Sequence, residues 1–281
     1  MSNNDQNQMY EVLIQTIIAA SQLPFVKVNR EEFLRKEFAG DKYLENIIKD
    51  GPQSVFTSQA LRKRAKKVIT NATNKTSIAS FVTGLPSNPV TAIASGGADV
   101  IQYFGFALNL SQQIAYLFGE DDLFSGSGGY DKLPEEAQIR IVAYLGIMFG
   151  ASGSSALIMN VSKTAGKNLG KKVTQQALTK TSWFPLVKKI GSTLGVKITK
   201  QSVGKSITKV VPVIGGVISG GLTYMTFKPM GNKLADTFVD LLDGKISEDF
   251  EGINEYNEDF RQKMAKDVED IDGEFTELSN E

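Results

Sequence analysis

The side chains able to do chemistry are few in this 281-residue chain, which has no His and no Cys. That removes imidazole acid–base catalysis, thiol nucleophiles, disulfides, Ser-His-Asp and Cys-His sets, and His or Cys ligation of zinc, haem or iron–sulfur. Any reaction would have to run on Asp, Glu, Lys, Tyr, Ser or Thr. Three places offer such groups: Asp99 with Tyr103, the loop Glu120-Asp121-Asp122, and Gly204-Lys205-Ser206. The loop could offer oxygens to a divalent cation, but it lacks the spacing of an EF-hand and reads better as an acidic connection. Gly204-Lys205-Ser206 looks like the end of a phosphate loop and fails as one, because Thr199 stands five residues before Gly204 where the motif needs Gly, and no buried strand precedes it. Asp99 followed by Gln102 has the spacing of a capping box, which accounts for a lone acid in an apolar stretch as a structural, buried polar pair. An intramembrane or catalytic carboxylate at Asp99 is the sharper alternative. Isolated candidates do not make the constellation that acid–base chemistry needs, so the sequence assigns no catalytic residue, no metal and no cofactor.

Charge is the stronger signal. The net charge is zero, from 31 Lys plus Arg against 31 Asp plus Glu, yet the two signs do not mix along the chain. Residues 1–75 carry 12 basic and 8 acidic side chains, 76–160 carry 2 and 7, 161–212 carry 11 and none, and 213–281 carry 6 and 16. Between Glu136 and Asp236 no acid interrupts 14 basic residues. Such segregation points to an electrostatic task or to internal docking, against the plain alternative that lysines merely keep apolar helices soluble. Within 163–209 the lysines alternate with apolar residues, and Trp183 and Phe184 lie just ahead of Lys188 and Lys189. With Lys171, Lys172 and Lys180, these residues suit an anionic membrane interface or a membrane protein. Nucleic acid is disfavoured, since Lys without Arg lacks the bidentate guanidinium of base readout. The earlier run Arg62-Lys63-Arg64-Ala65-Lys66-Lys67 has no interleaved aromatics and reads as a solvated helix face rather than a nucleic-acid or lipid contact.

The elements that carry these groups are helical, and the spacing predicts an all-α compact bundle with Gly-rich, strongly apolar central helices. Met9, Leu13, Ile17 and Ile18 form one stripe, and Tyr43, Leu44, Ile47 and Ile48 another that stops at Asp50-Gly51-Pro52. A helix is expected over 54–73, a broken segment over 76–98, and a long helix over 99–118 closed by Gly119, with Gln102, Asn109 and Gln113 on one stripe. Leu133-Pro134-Glu135-Glu136 opens another helix, leading into the uncharged stretch 141–162. That stretch is long enough to span a bilayer, but its small-residue centre favours one or two buried helices. Further on, Gly216 with Gly220, and Gly215 with Ser219, are small-xxx-small pairs that let helices approach closely.

Three ordered blocks resemble the EcsC family. They are Pro212-Val213-Ile214-Gly215-Gly216 with its aromatic-basic exit to Gly231, the block Gly84-Leu85-Pro86 through Asp99, Gln102-Tyr103 and Ala115 to Gly119, and the Lys-rich segment around Trp183 to Lys189. The likeness covers about residues 60–240. It implies an all-helical, cytoplasmic bacterial protein of a family whose founding member is encoded beside an ABC transporter affecting secretion. The family has no established catalytic residues, so none is carried over.

The organisation expected is thus an N-terminal helical extension over 1–60, an EcsC-like domain over 61–240 and an acidic amphipathic tail over 241–281. In the tail Ile246, Phe250, Ile253, Tyr256, Phe260 and Met264 recur at steps of three or four, so its apolar face needs a partner while its acids would be repelled by anionic lipid. The acid-free region of the same chain is the economical partner. The expected role is a non-enzymatic, membrane-associated accessory or regulatory protein with the tail as intramolecular competitor. The alternative is a soluble protein-binding module or defence or toxin-related effector. The polar first eight residues lack a secretory pattern, which places the chain in the cytoplasm, peripheral at the inner face of the membrane.

Overall fold

A computed structural model gives the architecture; it describes residues 3–74, 98–124, 129–162, 190–192, 194–195 and 220–246. All regular structure among these residues is helical, so the chain is an all-α protein. The helices are α1 (Asn3–Ser21), α2 (Arg30–Glu37), α3 (Leu44–Asp50), α4 (Ser58–Asn74), α5 (Ala98–Leu117), α6 (Glu135–Met148), α7 (Ser154–Val161) and α8 (Gly220–Leu242). Helix α5 lies at the centre and packs against α1, α2, α4, α6 and α8. One continuous core results, running from Leu13 in α1 to Leu241 in α8.

Local chemistry sets the helix ends. Asn29 caps α2 by accepting the Glu32 N–H at 2.8 Å, with Glu31 and Glu32 in the first turn and Arg35 and Lys36 in the last, as the helix dipole favours. Helix α5 closes where the sequence places its stop. Gly119 takes φ +92°, its N–H reaches the Tyr116 carbonyl at 3.2 Å, and the Glu120 N–H reaches Ala115 at 3.1 Å. These two bonds satisfy carbonyls that the helix would otherwise leave open. The uncharged stretch 141–162 is two helices, not one. Gly150, at φ +72°, repeats the same closure, with its own N–H on Ile147 and that of Ala151 on Gly146, and α7 starts after a reversal at Gly153.

Two expectations change. Helix α5 is already formed at Ala98, so the backbone of Asp99 lies inside the helix and not at a cap. The basic run on α4 is only partly a solvated face. Lys63, Lys66 and Lys67 are exposed. Arg62 instead turns to α8, its Nε donating to Asp236 at 2.7 Å and its Nη2 to Asn232 at 3.1 Å. Arg64 donates to the Glu37 carbonyl and stacks over Phe38, 4.2 Å from the ring centroid. With Ser58 donating to Asp243 at 2.6 Å, the Arg62 contacts form a polar seam along the α4–α8 pair, while Arg64 ties α4 to the end of α2.

The described apolar stretches 99–118 and 141–161 pack into this core. Phe104 stacks on Phe149 at 5.0 Å, Tyr103 meets Phe227 at 4.7 Å, and Phe118 stacks on Phe238 at 5.3 Å, which ties α5 to the end of α6 and to α8. Among the described residues no helix is long and apolar enough to cross a membrane.

Candidate functional site

A cleft of about 380 Å³ opens between the α1–α2 connection, α2, α4, α5 and α8. Its floor is apolar and buried: Leu110 and Phe227 are each 3% exposed. Phe25 and Phe106, half-buried with ring centroids 5.4 Å apart, form a wall. Beside this wall lie two amides. Gln113 Nε2 donates to Asn109 Oδ1, and Asn109 Nδ2 donates to the Phe25 carbonyl at 2.8 Å, which fixes both side chains and leaves the Gln113 carbonyl as an acceptor. Exposed Lys36 and Asn71 stand at the rim beside half-buried Glu37. The volume lies in the range of small-molecule sites, and an apolar pocket with a few fixed polar groups is their usual make-up.

Helical spacing explains who lines it. Phe106, Asn109, Leu110 and Gln113 lie at steps of three and four on α5 and so share a face. Gln112, one position round, faces away and does structural work: its amide donates to the Val26 carbonyl at 2.7 Å and accepts the Val28 N–H at 3.1 Å. This pins the chain between α1 and α2 to α5. The sequence stripe named Asn109 and Gln113 correctly as neighbours, whereas Gln102 is a half-buried residue near the start of the helix and does not line the cleft.

A second polar cluster is fully enclosed. Glu120, 0% exposed, accepts from Tyr144 O–H at 3.0 Å and from the Ser162 hydroxyl. Arg140, also buried, donates from Nη2 to Glu136, while its Nε has no hydrogen-bond partner. Burial depresses the basicity of this guanidinium, but the neighbouring Tyr144, Glu120 and Glu136 outweigh it and raise its pKa overall. Burial pushes the Tyr144 phenol well above its ordinary value, and the Glu120 carboxylate beside it pushes further. On the outer side Arg30 donates from Nε to the Glu120 carbonyl at 2.8 Å and from Nη1 to Ile48 at 2.9 Å. The cluster therefore joins the α5 terminus, α3, α6 and the end of α7.

The acidic loop is thus a corner rather than a set of free oxygens. Glu120 is turned inward, and Asp122 accepts from Tyr116 O–H at 3.2 Å and from the Phe124 N–H at 3.0 Å. No group of three acids converges on a point among the described residues. Tyr103 is a core residue, 2% exposed, with its hydroxyl on the Met230 sulfur at 3.3 Å.

Most residues singled out from charge lie elsewhere. Lys171, Lys172, Lys180, Trp183, Phe184, Lys188 and Lys189 fall outside the described residues, as do Gly215, Gly216 and Ser219 and the tail beyond Ile246. Gly220 is the first described residue of α8, and Asp99 is placed as backbone in the first turn of α5. The cleft aromatics Phe25, Phe33 and Phe227 were not legible as a group, because they come from three separate elements. No family model, no curated protein and no solved structure matches this chain.

Proposed function

We propose that the protein is a non-enzymatic accessory or regulatory protein of the EcsC type that binds an anionic membrane surface, or a membrane protein there, through its Lys-only region. On this reading it acts from the cytoplasmic side, and the acidic tail competes for the same lysines. The observation that carries the reading is the run from Glu136 to Asp236, in which 14 basic residues meet no acid. The fold adds support: the apolar stretches 99–118 and 141–161 are used up in the protein core, which leaves surface electrostatics as the means of contact. Each well-placed lysine near an anionic surface contributes about 1 kcal/mol, and the attraction fades within a Debye length.

Co-sedimentation of the full chain with vesicles tests this. Binding is expected to phosphatidylcholine vesicles containing phosphatidylglycerol, absent without it, and falling as salt rises. Replacing Lys171, Lys172, Lys188 and Lys189 together by Gln should abolish it. Unchanged binding by that variant overturns the assignment to these lysines, and a chain that stays in the supernatant throughout leaves the soluble binding-module alternative.

A further inference from the structure

From the cleft between α2, α4, α5 and α8 we infer a second, separate ligand site, which takes an elongated apolar molecule ending in a carboxylate, such as a medium-chain fatty acid. None of its lining residues belongs to the Lys-only region. Burial grades the cleft from end to end: a floor of Leu110 and Phe227, a wall of half-buried Phe25 and Phe106, and an exposed rim. An apolar chain would remove the two half-buried rings from water, which water filling the cleft does not.

The rim selects the head group. Lys36 and Arg35 are neighbours in the last turn of α2, yet they are treated differently. Arg35 is held by Glu31 and Glu45, each at 2.9 Å, whereas Lys36 makes no ion pair with any described residue. Lys36 and Asn71 are the two exposed residues of the lining, so a carboxylate at the rim can draw on one cation and one amide N–H donor. Glu37 is the one acid of the lining, and the Arg64 guanidinium donates to its main-chain carbonyl. A cationic or neutral head group would leave Lys36 unmatched.

Calorimetric titration of the full chain with decanoate below its micelle-forming concentration tests the site, with 1-decanol as uncharged control. Saturable one-to-one binding of decanoate is expected. Lys36→Gln should weaken decanoate about fivefold, the size of an exposed charge pair, and leave decanol unchanged. Ala72→Phe, which fills the cleft from α4, should abolish both. Because Lys36 is exposed, its variant folds even if Ala72→Phe does not. The Lys171, Lys172, Lys188, Lys189 variant should bind decanoate normally, which separates this site from the membrane reading. Absence of saturable binding, or binding insensitive to Lys36→Gln, overturns the inference.

Discussion

Glu120 shows how a single buried carboxylate is made tolerable. Its two oxygens take the Tyr144 and Ser162 hydroxyls, and the Arg140 guanidinium lies close enough to interact electrostatically. Removing it would orphan two buried donors, while Arg140 keeps its ion pair with Glu136. Glu120→Ala is therefore expected to lower stability by about 2–4 kcal/mol in urea denaturation, against about 1 kcal/mol for Tyr144→Phe, which removes one hydroxyl only. The tyrosines define a pH limit as well. Burial is the main cause that raises Tyr116, Tyr130 and Tyr144, with Asp122 adding to the first and Glu120 to the last. A phenol held protonated in the fold but free to ionise in the unfolded chain contributes stability that is fully present below its unfolded pKa of about 10 and is lost as pH rises beyond it. Phenolate absorbance from these residues should thus appear together with loss of helical circular dichroism, in one alkaline transition. Ionisation of all eight Tyr in an intact fold would contradict it.

At the scale of elements, the break between α6 and α7 can be tested by one methyl group. Gly150 holds φ +72°, so Gly150→Ala should lower stability by about 1–2 kcal/mol through the left-handed penalty, read from thermal denaturation. A rise in stability would mean that 141–162 prefers one continuous helix. The end of α5 at Gly119 was legible because glycines carry backbone information locally, whereas the stretch 141–162 read as one helix or two, with no break placed at Gly150. What was not legible depends on partners far along the chain. The run at Arg62 looks like a surface patch until α8 is placed beside α4, 174 residues from Arg62 to Asp236. Helix α8 itself was obscured by Pro229 and by Asp236 and Asp240, although Leu234, Ala235 and Phe238 are each 0% exposed on one face. The cleft escaped for the same reason: Phe33, Lys36 and Glu37 on α2, Val68, Asn71 and Ala72 on α4, and the α5 set each have a helical period, but nothing local says that the three faces converge.

For the whole molecule, the neutral net charge conceals a large imbalance. The residues after Ile246 hold 13 acids and 3 bases, so a chain ending at Ile246 keeps 28 bases against 18 acids, a net charge of +10. If the tail competes for the Lys-only region, that shortened chain should bind anionic vesicles more tightly than the full chain and with a steeper salt dependence. Equal binding across a salt series would remove the competitor role. Ending at Ile246 leaves the bonds from Ser58 and Lys245 to Asp243 in place, so the α4–α8 seam is retained.

That seam also sets an order of events during synthesis. The seat for α8 is built from α4, α5 and α6, where Ile69, Leu110, Tyr103, Phe118 and Tyr144 meet its residues. All of these leave the ribosome well before α8 does. At roughly 5–20 residues per second, making residues 163–242 takes on the order of 4–16 s. Throughout that interval the seat is an uncovered aromatic and aliphatic face, of the kind that self-associates or draws a chaperone. A ribosome stalled in the Lys-only region would hold the nascent chain in that bare state, so α8, the last of the described helices to be translated, is the one that covers the seat.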